Sequence, residues 1–292
     1  MAQRNEQYPA KLLLFGEYSV LNGSQALAVP LKQYFGQWKT QNGPDKEEPN
    51  ISLNNFIIWL EENELISHDV LQLMQSDLEN GLYYQSSIPQ GYGIGSSGAI
   101  VAALYDRYFL SDDDINAIQS TMSKMESYFH GTSSGLDPLI SYTQKAVYKD
   151  ESGGYHSLTD PRWPEGYKIY LLDSEVGRET GTLVQKYKEK LLDPVFEEKI
   201  QRQYIPMVEH AIHFYLAGEN RLLEECLSII SQFQREYFTE MIPDHVKKRW
   251  DELVNKPGVY VKLCGAGGGG YFMIITSGHL KELSFTGLIT LC

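Results

Sequence analysis

The sequence predicts an α+β protein, in which strands and helices occupy different parts of the chain. Residues 9–29 hold two short apolar runs separated by an Asn-Gly turn, a pattern typical of a β-hairpin. Residues 196–254 carry apolar side chains at helical spacing. Near the end of the sequence, two strongly apolar runs flank a glycine-rich loop at 265–270, which indicates a second pair of strands. A chain of 292 residues is long enough for one large domain or two smaller ones.

The composition is that of a folded protein with no nucleic-acid or membrane partner. Hydrophobic residues make up 42% of the sequence and aromatic residues 12%, which is ordinary for a protein with a packed core. The formal charge of −13 disfavours binding to nucleic acid or to an anionic membrane, because either needs a basic face. No apolar run approaches the roughly 18 residues of a membrane span.

Cysteine usage and the first residues indicate a cytoplasmic protein. Cys226, Cys264 and Cys292 lie far apart and form no CxxC pair, so neither a disulfide framework nor a zinc site is expected. The first eight residues lack the apolar core of a signal peptide. We therefore expect the chain to work in a reducing, cytoplasmic environment.

The N-terminal segment is predicted to form the β-hairpin. Its first strand is apolar, breaks at Gly16 and resumes at Val20. Asn22-Gly23 is a strong turn signal, and residues 26–29 supply the returning strand.

Lys11 and Glu17 are two charged residues in this otherwise apolar stretch. One interpretation is that both side chains point to solvent from alternate faces of the strand. The other is that they belong to a functional site. The hairpin sequence alone does not decide between these interpretations.

Elements between the hairpin and residue 114 follow from shorter patterns. Two helices are predicted near residues 56–60 and 65–74, and a strand at 82–87. The acidic run at 111–114 has the composition of a metal cluster. We expect instead that Ser111 or an adjacent Asp caps the next helix, where a carboxylate complements the helix dipole.

Residues 89–99, Pro-Gln-Gly-Tyr-Gly-Ile-Gly-Ser-Ser-Gly-Ala, are predicted to form a phosphate-binding loop that opens a helix. Three glycines leave space for a bulky ligand against the backbone, and Ile100, Leu104 and Tyr108 follow at helical spacing. The first N–H groups of a helix lack internal partners and lie at its positive end, so a polyphosphate can satisfy them. The alternative is a glycine-rich turn before a core helix, since the loop matches neither the Walker pattern nor a GxGxxG fingerprint. The residues predicted to bind the phosphates are Pro89, Gly91, Gly93, Ile94, Gly95, Ser96, Ser97 and Gly98.

Two carboxylates, Glu126 and Asp137, are candidate members of a magnesium site. Glu126 lies near the end of a predicted helix, and Asp137 lies in the small-residue loop at 130–138 that follows it. Magnesium bound to a nucleotide typically uses one or two carboxylates together with phosphates and water, and serine hydroxyls of the phosphate loop add further ligands. Taken singly, Glu126 is also typical of a solvated helix face, and Asp137 of a turn before proline.

The second half of the chain alternates between strands and helices. Strands are predicted at 146–148 and 167–172, and a helix near 183–191. Five of the six residues at 265–270 are glycine. Glycine loses conformational entropy on folding and gives no packing in return, so this loop indicates close approach by another group.

Three segments, in this order, resemble the motifs of the GHMP kinase superfamily. Residues 9–18, Pro-Ala-Lys-Leu-Leu-Leu-Phe-Gly-Glu-Tyr, resemble the first motif. Residues 89–99 are close to PxGxGLGSSAA, and residues 262–270 resemble KxxGAGGGG. The resemblance extends over almost the whole chain and implies membership of this superfamily.

Within the superfamily, the chain most resembles the mevalonate kinases. Residues 130–137, His-Gly-Thr-Ser-Ser-Gly-Leu-Asp, are similar to their HGxPSGxD signature, with Glu126 upstream at the metal-binding glutamate. Residues 174–184 resemble the segment that lines their acceptor site. The chain departs from the family at Ser133, which replaces the proline, and at Gly98, which replaces an alanine of the phosphate loop.

The resemblance implies a fold of two domains. An N-terminal domain like ribosomal protein S5 is expected at residues 1–155, and a ferredoxin-like C-terminal domain at 156–292. The resemblance places a cleft between the two. ATP and Mg²⁺ are the expected cofactors, with Ser97 and Glu126 holding the metal.

The resemblance also implies roles for the remaining site residues. Asp137 is expected to contact the acceptor hydroxyl, orient it and take its proton late in the reaction. Lys11 is expected beside Asp137, where it stabilises the charge on the moving phosphoryl group. The residues expected at the substrate are Glu17, Tyr18, His130, Ser134, Thr180, Gly265, Ala266 and Gly267.

The reaction implied is transfer of the γ-phosphoryl group of ATP to a small-molecule alcohol, with mevalonate becoming 5-phosphomevalonate. Phosphomevalonate is an alternative acceptor, since Tyr18 stands where mevalonate kinases usually have His and Gly-Glu-Tyr-x-Val is reminiscent of phosphomevalonate kinases. A small sugar or homoserine is another alternative. A different class of function is a catalytically silent sensor that binds ligand without phosphoryl transfer. A homodimer is compatible with the sequence.

Overall fold

The computed structural model describes residues 5–41, 51–109, 114–159, 161, 163, 165–177, 180–277 and 288–290. Within these ranges the strands are β1 (Tyr8–Phe15), β2 (Ala26–Thr40), β3 (Leu82–Ser86), β4 (Ala146–Lys149), β5 (Tyr155–Leu158), β6 (Lys168–Asp173), β7 (Val259–Leu263), β8 (Tyr271–Thr276) and β9 (Leu288–Thr290). The helices are α1 (Ile51–Glu62), α2 (His68–Glu79), α3 (Ser96–Tyr108), α4 (Ile115–His130), α5 (Leu136–Thr143), α6 (Thr180–Lys190), α7 (Pro194–Lys199), α8 (Ile205–Ala217), α9 (Asn220–Tyr237) and α10 (Asp244–Val254).

The strands form two sheets, and the predicted α+β class is confirmed. One sheet has the order β1-β2-β4-β5, with β3 also paired to β2. The other has the order β7-β8-β6-β9. In the second sheet β8 is antiparallel to both β6 and β7, and β9 is antiparallel to β6.

The chain divides into two compact units. The first unit comprises Met1–Lys11, Pro30–Ile88 and Gly95–Val147. The second unit comprises Leu12–Val29, Pro89–Ile94 and Tyr148–Cys292. Helices α1 to α5 belong to the first unit, where α3 packs against α4 and α5. Helices α6 to α10 and the sheet of β6 to β9 belong to the second. The domain boundary expected at residue 155 stays a prediction.

Most predicted elements are present with different ends. The helices expected at 56–60 and 65–74 are α1 and α2, and the strand expected at 82–87 is β3. The prediction that the first strand resumes at Val20 is wrong, because Ser19–Asn22 is a short 3₁₀ segment. Gly23 follows it in the left-handed conformation, with φ of 85°, and β2 then continues to Thr40.

The loop predicted at 130–138 is wrong at its end, because residues 136–138 belong to α5. Gly135, with φ of 67°, precedes the helix, and Asp137 lies in its first turn. Proline after Asp137 is tolerated there because the N–H groups of a first helical turn have no intrahelical partners. Asp137 is therefore fixed by a regular element and not by a loop.

An acidic residue caps α4, as predicted. The Asp114 carboxylate accepts a hydrogen bond from the N–H of Asn116 at 2.9 Å. Residues 111–113, also considered for this cap, lie outside the described residues. Among the helices that the structure describes, none combines the length and the apolar character needed to cross a membrane.

Candidate active site

The predicted phosphate loop leads into α3 through left-handed turns. Gly91, Gly93 and Gly95 have φ angles of 75°, 73° and 81°, a region that glycine enters without the steric cost paid by other residues. Helix α3 begins at Ser96, so Gly95 occupies the N-cap position and has no side chain with which to cap the helix. Ile94 is buried and anchors the turn. The N–H groups at the start of α3 can therefore bind an anion.

Lys11 and Asp137 form an ion pair in the first unit. The Lys11 Nζ lies 2.9 Å from the Asp137 Oδ1, and the side chains are 8% and 26% exposed. A Cβ on Gly95 would lie 2.9 Å from the Lys11 Cγ and 3.5 Å from the Asp137 Oδ2. The backbone before α3 thus runs directly against the ion pair.

Gly98 allows a second close approach. A Cβ at this position would lie 2.7 Å from the Asp137 carbonyl carbon and 2.8 Å from the Pro138 nitrogen, both of them backbone atoms. The departure from alanine noted in the sequence thus has a structural reason, because the start of α5 occupies the space of the missing side chain.

Glu126 is buried beside the phosphate-loop helix, so the solvated-face interpretation is wrong. Its side chain belongs to a residue only 4% exposed. The Ser97 hydroxyl donates to the Glu126 Oε1 at 3.0 Å, and the Ser133 hydroxyl donates to the Oε2. Burial, followed by the negative charge of Asp137, raises the pKa of Glu126 to about 7.

These oxygen atoms fit a magnesium ion. Mg²⁺ prefers oxygen ligands and is usually held by one or two carboxylates with the nucleotide phosphates. Glu126 and Ser97 supply a carboxylate and a hydroxyl within hydrogen-bonding distance of each other. The positive charge of a cation would also favour the ionised form of this buried carboxylate. Within the described ranges no group of three or more His, Cys, Asp or Glu side chains is placed to hold a metal.

Ser133 and Ser134 lie in the turn before α5. The Ser133 hydroxyl, besides contacting Glu126, accepts the N–H of Gly135 at 2.9 Å. The Ser134 hydroxyl accepts the N–H of Leu136 at 3.3 Å. Ser133, which replaces the family proline, therefore stabilises the turn and also orients the Glu126 carboxylate. His130 ends α4 and Thr180 begins α6, and the side chains of both lie outside the described part of the structure.

Glu17 and Tyr18 are buried in the second unit. Glu17 is 1% exposed, and its Oε1 pairs with the Nζ of Lys262, which is also 1% exposed. The Tyr18 hydroxyl donates to the carbonyl of Ala266 at 2.5 Å. The first and third motifs are therefore joined by side-chain contacts, and the Glu17 side chain does not point to solvent.

The glycine-rich loop is packed tightly against its own chain. A Cβ on Gly267 would lie 2.2 Å from the carbonyl oxygen of Met241, and a Cβ on Gly269 would lie 2.4 Å from that of Val176. The N–H of Gly270 donates to the same Val176 carbonyl at 2.7 Å. The close approach predicted for this loop is made by neighbouring backbone.

Tyr92 links the phosphate loop to the third motif, and sequence reasoning missed it. Its ring lies 4.9 Å from that of Tyr271 in an edge-to-face arrangement. A Cβ on Gly270 would lie 2.5 Å from the Tyr92 carbonyl oxygen. An aromatic residue between two glycines of a phosphate loop was the available signal, since such a side chain needs a packing partner.

The structure thus brings the predicted residues into two clusters. The first unit joins Lys11, Ser97, Glu126 and Asp137 around the start of α3. The second unit joins Tyr18 to the glycine-rich loop and Glu17 to Lys262 of the strand that precedes it. Sequence reasoning did not predict a contact for Lys262. The available signal was a single lysine in the apolar run Val-Tyr-Val-Lys-Leu at 259–263, which indicates a buried partner.

Comparison with known proteins identifies related sequences. Residues 65–145 match the family model described as GHMP kinases N terminal domain. The mevalonate kinase of Pyrococcus abyssi is 26% identical over 94% of this chain and 89% of its own length. The mevalonate kinase of Archaeoglobus fulgidus is 25% identical over 95% of this chain and 94% of its own.

Solved structures show the same fold at lower identity. The L. major mevalonate kinase, in complex with R-mevalonate, has a TM-score of 0.63 and 18% identity, covering 94% of this chain and 87% of that one. The Streptococcus pneumoniae phosphomevalonate kinase, in complex with phosphomevalonate and AMPPNP, has a TM-score of 0.63 and 16% identity, covering 94% and 92%. The family match, the curated relatives and the shared fold agree with the three motifs, and the chain is therefore an ATP-dependent kinase that is similar to the mevalonate kinases and, over residues 65–145, to the N-terminal domain of GHMP kinases.

Proposed function

We propose that this kinase phosphorylates the C5 hydroxyl of mevalonate, giving 5-phosphomevalonate. The observation that carries the proposal is the Lys11–Asp137 ion pair against Gly95 of the phosphate loop. An alcohol in contact with that carboxylate would lie next to the phosphates held at the start of α3. The curated relatives named mevalonate kinase favour mevalonate as that alcohol.

In this proposal Asp137 orients the acceptor hydroxyl and receives its proton late in the transfer. Phosphoryl transfer through a loose transition state needs little early deprotonation, and positioning and charge neutralisation lower most of the barrier. Lys11 lies 2.9 Å from Asp137, from where its ammonium can stabilise negative charge on the transferred group. The position of Asp137 in the first turn of α5 fixes the carboxylate on a regular element.

ATP would bind with its phosphates at residues 89–98, and Mg²⁺ would be held by Ser97 and Glu126. The metal, when bound, neutralises phosphate charge. Ser133 keeps the Glu126 carboxylate oriented toward this position. The other residues proposed at the acceptor are Glu17, Tyr18, His130, Ser134, Thr180, Gly265, Ala266 and Gly267.

Phosphomevalonate is the second candidate acceptor. The Gly-Glu-Tyr sequence at 16–18 favours it, since Tyr18 replaces the usual His of the mevalonate kinases. The fold alone does not distinguish the two acceptors, because both kinds of kinase share it. A silent sensor is disfavoured, because a protein that only binds ligand does not need Lys11, Ser97, Glu126 and Asp137 together.

Release of ADP from ATP and Mg²⁺ tests the proposal. The purified protein is assayed separately with mevalonate, phosphomevalonate, homoserine and a panel of small sugars. ADP release specific to mevalonate is the expected result. Release with phosphomevalonate alone would show that the first motif is the better guide to the acceptor. If no alcohol stimulates ADP release while ATP still binds, the protein is a sensor and the proposal is wrong.

We also propose that the enzyme works in the cytoplasm, on the basis of its widely spaced cysteines and the lack of a CxxC pair in the sequence. A homodimer remains an expectation for this chain. Sedimentation velocity of the purified protein measures its assembly state directly.

A further inference from the structure

The backbone at Tyr18 adopts a strained turn. Its φ and ψ are 62° and −41°, close to the values of the classic γ-turn, which is rare and strained in proteins. The N–H of Ser19 donates to the carbonyl of Glu17 at 2.7 Å, which is the hydrogen bond that closes such a turn. A non-glycine residue in this conformation is strained, and it persists only where its surroundings enforce it.

Side chains on both sides of the turn enforce this conformation. The Glu17 carboxylate pairs with Lys262, and the Tyr204 hydroxyl donates to the Glu17 carbonyl at 3.2 Å. The Tyr18 ring packs against the rings of Tyr187 and Phe238, with centroids 4.6 Å and 5.1 Å away. The backbone and the ring are therefore held independently.

The contacts around Glu17 continue into a closed set of hydrogen bonds, here called the buried polar ring. It consists of Glu17, Tyr204, Gln234, Lys262 and Leu263. The Gln234 Nε2 donates to the Tyr204 hydroxyl at 2.7 Å, and its Oε1 accepts the N–H of Leu263 at 2.8 Å. The Lys262 Nζ donates to the Leu263 carbonyl at 2.6 Å, which returns the set to Glu17.

The position of the ring in the fold connects it to the glycine-rich loop. Lys262 and Leu263 are the last residues of β7, and only Cys264 separates them from the loop. Tyr204 lies in a π-helical segment, Ile200–Tyr204, of a kind that is uncommon and often found at functional sites. Buried polar groups that hydrogen-bond to one another favour one geometry, because a displacement breaks those bonds where water cannot replace them.

The Tyr18 hydroxyl reaches from this rigid frame into the loop. It donates to the Ala266 carbonyl at 2.5 Å. Ala266 lies between two glycines, which have no side chains to restrict the backbone dihedral angles on either side of it. A peptide is planar and trans, with its C=O and N–H on opposite sides. A restrained Ala266 carbonyl therefore also sets the direction of the Gly267 N–H.

We propose that Tyr18 is a positioning residue, which fixes the Ala266–Gly267 peptide in one orientation and so shapes the acceptor side of the glycine-rich loop. The proposal rests on the proposed function in one respect, the assignment of Gly265, Ala266 and Gly267 to the acceptor. It differs from the expectation that Tyr18 touches the substrate itself. Tyr18 is 4% exposed and its hydroxyl contacts the loop, so it acts through Ala266.

The variant Tyr18→Phe removes the hydroxyl and keeps the ring against Tyr187 and Phe238. From the net contribution of a single hydrogen bond, we expect the KM for the acceptor to rise about two- to tenfold. The Kd for ATP is expected to change by less than about twofold, since Tyr18 acts on the third motif and not on α3. The kcat is expected to fall less than the KM rises.

Tyr215→Phe is the matched control. Tyr215 is also 4% exposed, belongs to the same unit, and donates its hydroxyl to a backbone carbonyl, that of Pro161, at 3.2 Å. The same chemical change there should leave the KM for the acceptor unaltered. If Tyr18→Phe leaves that KM unchanged, or raises the Kd for ATP equally, the proposal is wrong.

Amide hydrogen exchange of residues 264–271 tests the same proposal without an acceptor. In the Tyr18→Phe variant, exchange in this segment should become about two- to tenfold faster, and in Tyr215→Phe it should stay at the wild-type rate. If the wild type phosphorylates no alcohol, the proposed function fails while the exchange experiment still decides the role of Tyr18. Equal exchange in all three proteins would overturn the proposal.

Discussion

Two lysine–carboxylate pairs invite comparison, one in each compact unit. Lys11 of β1 pairs with Asp137, and Glu17, just beyond the end of the same strand, pairs with Lys262. Side-chain exposure is 8% and 26% in the first pair, but 1% or less in the second. The same chemical groups therefore lie in different environments. Asp137 remains accessible to a substrate, whereas Glu17 and Lys262 are fully withdrawn from water.

The difference in burial changes what each pair contributes. A fully buried pair has lost its hydration, and removal of one partner leaves an uncompensated charge in the interior. A pair with access to water gains less from its partner, because solvent screens both charges. We infer that the Lys262 pair fixes the fold of the second unit, and that the Lys11 pair is available for chemistry.

The largest effect is expected from Lys262→Met. This change leaves the Glu17 carboxylate buried after its ammonium has been removed, and should lower the free energy of unfolding by about 3–5 kcal/mol. The matched variant Lys11→Met should lower it by only about 1 kcal/mol, because Asp137 can be hydrated. Denaturant unfolding monitored by circular dichroism measures both. Equal losses in the two variants would show that burial does not distinguish the pairs.

The next effect concerns turnover. Asp137→Asn keeps the size of the side chain and removes its charge, and should lower turnover at least about a hundredfold with ATP affinity nearly unchanged. Asp251→Asn makes the same change in the exposed ion pair with Arg235, and should leave turnover at the wild-type level. Steady-state ADP release and ATP titration measure the two quantities. An Asp137→Asn variant that keeps most of its turnover contradicts the proposed role.

The last effect is the pH dependence of stability in the absence of nucleotide. Burial raises the pKa of Glu126 from its ordinary value of 4.5 to about 7, so the folded state keeps a proton that the unfolded state releases. Below about pH 4.5 this proton stabilises the folded state fully. As the pH rises from there through 7, the free energy of unfolding falls by up to about 3 kcal/mol. Glu126→Gln should lack this decline in unfolding experiments between pH 5 and pH 8.

If the free energy of unfolding depends on pH in the same way in the wild type and in Glu126→Gln, the pKa of Glu126 is not raised. The same variant tests the metal, because loss of the carboxylate should raise the Mg²⁺ concentration needed for half-maximal turnover. An unaltered Mg²⁺ titration would remove Glu126 from the metal site.

The sequence predicted secondary structure better than it predicted which side chains contact each other. The apolar periodicity located β7, β8 and most helices, because each pattern reports its own buried face. It could not decide where Lys11 and Glu17 point, since their partners are Asp137 and Lys262, far along the chain. Helix α5 was missed because Gly135 and Pro138, with the small residues before them, are typical of a loop.

The glycine-rich loop at 265–270 shows the same limit. Its composition correctly predicted a close neighbour, but it did not identify that neighbour. In the structure the backbone at Met241 and Val176 fills the space. The buried polar ring could not be predicted either, because no sequence pattern distinguishes Gln234 and Tyr204 from other polar residues of amphipathic helices.

Gly98 restricts which sequence changes the protein can accept. Its missing Cβ is the space in which the backbone at Asp137 and Pro138 lies. A reversion of Gly98 to the alanine of related kinases would push α5 outward and carry the Asp137 carboxylate with it. Because the atom of Pro138 that lies there is its backbone nitrogen, a change of side chain at position 138 cannot make room for an alanine at position 98.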